Sequence, residues 1–175
     1  MVLKKEYVLL VDENDNALGL CEKMEAHEKA LLHRAFSVLL FNEKKELLLQ
    51  QRATTKYHCG GKWTNTCCSH PQPDESTEQA AKRRLKEEMG IDCDLKKAFD
   101  FVYKAALDNE LTEYEYDHVF IGVFSGTPII NKDEVKDWRY LSLAEIEKEI
   151  AKNPDGFTPW FKNILEKLTN KHLPK

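Results

Sequence analysis

The stretch SHPQPDESTEQAAKRRLKEEMGID, Ser69–Asp92, decides how this chain folds. Pro71 and Pro73 break any strand that precedes them. Ser76 followed by Gln79 has the spacing of a capping box, in which each side chain satisfies the other residue's backbone N–H at a helix start. Ala80, Ala81, Arg84, Leu85 and Glu88 recur at helical spacing, and Gly90 fits a C-terminal cap. The spacing therefore predicts a helix between Ser76 and Gly90. Arg84 and Glu88 lie one turn apart on it. They form either a solvated i,i+4 salt bridge or a carboxylate for Mg²⁺ beside a phosphate-binding arginine.

Strand patterns surround this helix. EYVLLVD and ALGLCEK flank ENDN and read as a hairpin. MEAHEKALLH is a short helix or a loop. RAFSVLLFN, EKK and ELLLQQR read as a second hairpin, more apolar and so more central. ATTKYHCGGKW is a loop. Downstream, FDFVYKAAL, the turn DNE and EYEYDHVFIGVFSG form a strand pair, and VKDWRYLS is a last strand. Ser142 and Glu145 offer a second capping box before LAEIEKEIAK, and NPDG breaks that helix. Thr158-Pro159 has N-cap and N1 chemistry for a final helix. Its apolar side carries Trp160, Phe161, Ile164, Leu165 and Leu168. Strands interspersed with a few helices give an α+β class, a mixed sheet with flanking helices.

Bulk properties narrow the function. At 175 residues the chain is expected to be one domain, 1–175. A net charge of -4 disfavours nucleic acid as a partner but leaves room for a local cationic pocket. No run reaches the ~18 apolar residues of a membrane span. MVLKKEYVLLVDEND has no cleavage site and reads as a first strand, so no membrane is expected and the cytoplasm is the expected address. Five cysteines without a secretory signal are expected as thiols. Cys67 and Cys68 are poor disulfide partners, since adjacent Cα atoms lie ~3.8 Å apart, below the usual ~4.4–6.8 Å.

Strand alternation separates those two cysteines. If TCCSH is extended, Cys68 and His70 share one face and Cys67 points away. We read Cys67 as a small buried hydrophobe; Cys68 is either that or a functional thiol. In TEYEYDH, Glu113 and Glu115 share a face. The apolar VFIGVF that follows makes the strand interior, where two carboxylates repel unless a cation bridges them. His27 and His33 fit one helix face poorly, so their segment must wrap around a point. His27, His33, His70, Glu113 and Glu115 together form a nitrogen- and oxygen-rich set that suits divalent Zn, Mn or Fe. CxxC and HxxxH spacings are absent, which disfavours a structural zinc site. Lys23, Arg52, Lys56 and Arg84 are ordinary surface cations singly, and an anion clamp if they share one pocket.

The opening stretch resembles the Nudix box. Glu75, Arg83, Leu85, Glu87, Glu88, Gly90 and Ile91 fit its pattern. Ser69 stands where the box has its leading glycine, and Arg84 where it has a glutamate. That exchange removes a carboxylate and adds a cation, which argues against ordinary Nudix pyrophosphohydrolysis. HRAFSVLLFN, LLLQQR, WTNTCCSHP, EYEYDHVF and FTPWF, in order from about Lys23 to Trp160, resemble the type I isopentenyl-diphosphate isomerases. The adjacent-cysteine form is similar to the eukaryotic-type versions.

The resemblance implies a Nudix-type α/β/α sandwich. It also implies conversion of isopentenyl to dimethylallyl diphosphate in isoprenoid biosynthesis, by protonation and deprotonation through a carbocation-like intermediate. By matched position, Cys68 and Glu115 are the catalytic pair. Cys68 would act as a thiolate if nearby cations lower its pKa. His27, His33, His70, Glu113 and Glu115 are the ligands of one divalent metal, Mn²⁺, Zn²⁺ or Mg²⁺. Glu88 helps hold a further Mg²⁺ on the diphosphate. Lys23, Arg52, Lys56, Ser69 and Arg84 are diphosphate contacts, and Tyr103 and Trp160 are aromatic pocket residues. The expected partner is a small isoprenoid diphosphate, and the expected state is a monomer. Two alternatives stand beside this reading: a Nudix hydrolase of nucleoside diphosphate compounds, and a non-catalytic metal-binding or thiol-sensing domain.

Overall fold

The computed structural model describes residues 5–174; Met1 to Lys4, where the N-terminal stretch begins, and Lys175, the end of the 1–175 span, lie outside it. In chain order the elements are β1 (Tyr7–Val11), β2 (Ala17–Glu22), α1 (Lys23–Glu28), β3 (His33–Phe41), β4 (Leu47–Arg52), β5 (Trp63–Thr64) and β6 (Cys67–Ser69). Then follow α2 (Thr77–Met89), β7 (Leu95–Ala106), β8 (Thr112–Val123), β9 (Val135–Leu141), α3 (Leu143–Lys152) and α4 (Pro159–Lys167).

The apolar run of β3 makes it the hub of the mixed sheet. It pairs in parallel with β8 along its whole length, from His33 opposite Glu115 to Phe41 opposite Val123. On its other edge it pairs antiparallel with β6, Ser37 opposite Cys68. The antiparallel β7–β8 pair carries Tyr103 opposite Glu115.

The expected β3–β4 hairpin closes only at its base, Phe41 opposite Leu47. Beyond that point β4 turns away to pair with β9 and β5. The segment between β5 and β6 fills the opening. Thr66 Oγ1 accepts from Leu40 N at 2.9 Å and donates to Leu48 O at 2.6 Å, so one hydroxyl bridges the parted strands. Asn65 Nδ2 donates to Val38 O and Cys67 O, at 3.2 and 2.8 Å. Buried backbone groups need partners, and these two side chains supply them where the ladder stops.

Alternation along the strands builds two cores, one on each face. Leu39, Phe41, Phe101, Tyr103, Val119 and Ile121 pack against Ile146 of α3 and Trp160, Phe161 and Ile164 of α4. Phe36, Val38, Leu40, Phe120 and Cys67 pack against Ala80, Ala81, Leu85 and Met89 of α2. The result is the α/β/α layering expected, with burial of a side chain such as Leu85 contributing about 1.5–3 kcal/mol.

The capping boxes at Ser76 and Ser142 both form. Gly90 ends α2 at φ +67°, where an added Cβ would lie 2.7 Å from Ile129 O. Thr158 departs from expectation. Its hydroxyl makes no cap bond and instead meets Thr64 Oγ1 at 2.8 Å, so Pro159 at the first turn opens α4. Strand β7 begins at Leu95, before the FDFVYKAAL motif.

Candidate active site

Five side chains from four places converge at one end of β3. His27 comes from the last turn of α1, His33 from the start of β3, His70 from just past β6, and Glu113 and Glu115 from β8. One ligand atom from each lies within 4.8 Å of all the others. The turn after α1 provides the wrap that His27 and His33 require. His27 Nδ1 sits 2.6 Å from Lys23 O and His33 Nδ1 2.8 Å from Leu31 O. A carbonyl only accepts, so each Nδ1 carries a proton and Nε2 is the atom that each ring turns inward.

The inward atoms are closely spaced. His27 Nε2 is 3.1 Å from Glu113 Oε1, His70 Nε2 is 3.0 Å from Glu115 Oε1, and His33 Nε2 is 3.2 Å from His70 Nε2. Burial raises the Glu113 carboxyl, but the neighbouring imidazoles of His27 and His58 more than reverse this and hold it well below its usual value. Burial pushes His70 down to about 4. Imidazole Nε2 atoms and carboxylate oxygens converging on one spot fit a divalent cation, which would displace the protons shared between them. Glu113 Oε2 is buried without a hydrogen-bond partner, as an oxygen reserved for such a cation would be.

A pocket of about 450 Å³ opens beside this cluster. Cys68, Tyr103, Glu113, Glu115 and Trp160 line its inner part. Tyr103 Oη donates to Glu115 Oε2 at 2.5 Å. Cys68 and Glu115 reach the pocket from β6 and β8, the two strands that flank β3. Cys67, one residue away, is fully buried under α2. The nearby cations do not by themselves meet the condition set for a thiolate at Cys68. Burial pushes this thiol up to about 12, Arg52 opposes the rise, and Glu88 and Glu115 add to it, so Cys68 rests protonated. Trp160 is buried, its ring edge-on to His58 at 5.7 Å and 5.3 Å from the Arg52 guanidinium.

The same pocket is also lined by Lys23, Arg52, Lys56 and Arg84 with Ser69 and Glu88, of which Lys23, Lys56 and Arg84 are partly exposed. Most of these cations are already paired. Lys23 meets Glu6 at 2.7 Å, and Lys56 is paired with Glu134. Arg84 bridges Glu88 at 2.5 Å, Glu87 at 2.8 Å and Glu134 at 3.3 Å. The Arg84–Glu88 pair is not the solvated one, since Glu88 is 4% exposed and also accepts from Gln50 Nε2 at 2.9 Å. Arg83 instead braces the helix entry, its Nε and Nη2 donating to the two oxygens of Glu75 at 2.7 and 2.9 Å.

Sequence reasoning missed Glu6, Glu134, His58 and Asp117. Asp117 had a readable signal, the third step of the Glu113–Glu115 alternation. It is fully buried, accepts from Ser37 Oγ at 2.8 Å, and burial pushes its carboxyl well above the usual range. Glu6, Glu134 and His58 carried no periodic signal.

The combination of a box helix on one face, a parted β3–β4 pair and a buried His/Glu cluster that could hold a metal defines a class. Residues 31–161 match the NUDIX domain family. The fold agrees: a Deinococcus radiodurans protein of known crystal structure superposes with a TM-score of 0.78 at 18% identity, over 93% of this chain and 98% of that one. The chain belongs to the Nudix family. An isopentenyl-diphosphate Delta-isomerase from Pectobacterium atrosepticum is 54% identical over 92% of this chain and 90% of the relative. The isopentenyl-diphosphate Delta-isomerase 2 of Photorhabdus laumondii is 53% identical, over 94% and 93%. Within the Nudix family the chain therefore belongs with the isopentenyl-diphosphate Delta-isomerases. Among the described residues no helix is long and apolar enough to cross a membrane.

Proposed function

We propose that this chain converts isopentenyl diphosphate to dimethylallyl diphosphate, in isoprenoid biosynthesis, with Cys68 and Glu115 moving the protons. The observation that carries the reading is the placement of a thiol and a carboxylate in one pocket, on strands either side of β3. An alkene is a very weak base. Shifting its double bond adds a proton to the terminal methylene and removes one from C2, through a species like a tertiary carbocation. The site needs an acid, a base and a wall that tolerates positive charge without water.

Cys68 enters as the donor in one direction and takes the proton back in the other. Glu115 does the converse, with Tyr103 Oη holding its second oxygen. The indole face of Trp160 stabilises passing positive charge by about 0.5–2 kcal/mol. Lys23, Arg52, Lys56, Ser69 and Arg84 bind the diphosphate, so remote binding energy orients the hydrocarbon end. His27, His33, His70, Glu113 and Glu115 would hold one divalent cation, and Glu88 would help hold Mg²⁺ on the diphosphate; bound there, the cations offset the carboxylate and phosphate charge. We further read the chain, over 1–175, as a single-domain monomer of the cytoplasm, the first point checked by a solution mass near 20.3 kDa.

Purified protein supplied with Mg²⁺, Mn²⁺ and isopentenyl diphosphate is expected to form dimethylallyl diphosphate. Release of inorganic phosphate or pyrophosphate would instead make it a hydrolase, and metal uptake without turnover would make it a binding domain.

A further inference from the structure

We propose that His58 is a positioning residue for the metal centre, holding the Glu113 carboxylate in the orientation that a divalent cation needs. The proposal rests on the metal-dependent reading above. His58 lies in the 53–62 loop between β4 and β5 and is 4% exposed. Its Nε2 is 2.9 Å from Glu113 Oε1, the same oxygen that faces His27 Nε2 at 3.1 Å. It stands behind Glu113 and not among the five gathered donors.

The loop holds His58 there firmly. Arg52 Nη2 donates to His58 O at 3.2 Å, Gly61 N to Arg52 O at 3.1 Å, and Ala53 N to Glu134 O at 3.0 Å. The ring is packed edge-on between Tyr57, at 4.2 Å between centroids, and Trp160, at 5.7 Å. Despite the short approach to Glu113, neither ring nitrogen makes an aligned hydrogen bond, and both are buried. A buried imidazole left this way is costly unless it has a use. Two lone pairs would repel at 2.9 Å, so the proton belongs on Nε2, facing the carboxylate.

A small rotation of the ring or carboxylate aligns that N–H with Oε1. It then fixes the plane of Glu113, whose Oε2 is buried and unpartnered and lies 3.9 Å from His33 Nε2. Ligating carboxylates need such outer partners as much as ligating histidines do. In this chain the partner comes from the loop that also carries Lys56 and adjoins Arg52, so the anion-binding end and the metal centre share one piece of backbone.

The test is Mn²⁺ affinity, measured by competition with a chelator, together with the electron paramagnetic resonance line shape of bound Mn²⁺. Three proteins are compared: the unaltered chain, His58→Ala and His58→Gln, since a glutamine amide can replace an Nε2–H donor. His58→Ala is expected to weaken Mn²⁺ binding by about tenfold to a hundredfold and to change the line shape. KM for isopentenyl diphosphate at saturating Mn²⁺ should stay little changed, and His58→Gln should restore most of the affinity. Unchanged affinity and line shape in His58→Ala would overturn the proposal. So would a raised KM with unchanged Mn²⁺ affinity, which would make His58 a substrate contact. Equal losses in both variants with an equal fall in unfolding temperature would make it packing. If the unaltered chain binds no Mn²⁺, the metal reading fails first and the proposal with it.

Discussion

The two ends of the pocket are built on different terms. At the inner end, His27, His33, Glu113 and Glu115 are buried, and backbone carbonyls fix the inward Nε2 atoms of the two histidines. At the outer end, Lys23, Lys56 and Arg84 keep about a fifth of their side-chain surface exposed, and their charges are met by the side chains of Glu6, Glu134 and Glu88. The first arrangement is set by the fold before anything binds. On the proposed function the second is provisional: an incoming diphosphate would compete for the partly exposed Lys23, Lys56 and Arg84. On that reading the pocket is buried and braced where proton transfer needs precise placement and exchangeable where binding must be reversible.

The largest effect should come from breaking the inner end. Glu115→Gln and Cys68→Ser each remove a group proposed to move a proton and should lower kcat by roughly 10²–10⁴-fold in steady-state assays. Loss from only one of them would assign both proton transfers to that residue. Stripping the metal with a chelator should take activity to background, and Mn²⁺ or Mg²⁺ should restore it. The unfolding temperature should fall with it, since a ligand at a hundred times its Kd stabilises by about 2.7 kcal/mol.

At the outer end the sign reverses. Glu134→Gln removes a carboxylate that competes for Lys56 and Arg84, so inorganic pyrophosphate should bind about two- to fivefold more tightly, as expected for a partly exposed ion pair. Weaker binding in that variant, measured by calorimetry, would show that Glu134 organises the cations. Cys67→Ala should do least. It should cost about 1 kcal/mol of stability and leave kcat near the parent value.

Sequence legibility divides along similar lines. The separation of Cys67 from Cys68 and the shared face of Glu113 and Glu115 follow from the period of two in a strand, which is local, and the structure shows both. The box helix is equally local, marked by Ser76, Gln79 and Gly90. The parted β3–β4 pair was not legible, because adjacency in sequence suggests a hairpin. The strands part because β6 takes the edge of β3 and Thr66 bridges the gap, a contact across distant segments. His58 escaped because a loop has no period. In the sequence the protonation of Cys68 is conditional for a related reason. Nearby cations were visible in the sequence, but the burial that outweighs them is a property of the folded pocket.

The central claim is that protein groups, in exchange with solvent, supply the proton that isomerises the alkene. It is tested most directly by running the reaction in D₂O and reading the product by NMR. The account predicts dimethylallyl diphosphate with solvent deuterium in the methyl group formed from the terminal methylene, and loss of that product in Cys68→Ser and Glu115→Gln but not in Cys67→Ala. Product formed without deuterium, or formed equally well by all three variants, would contradict it.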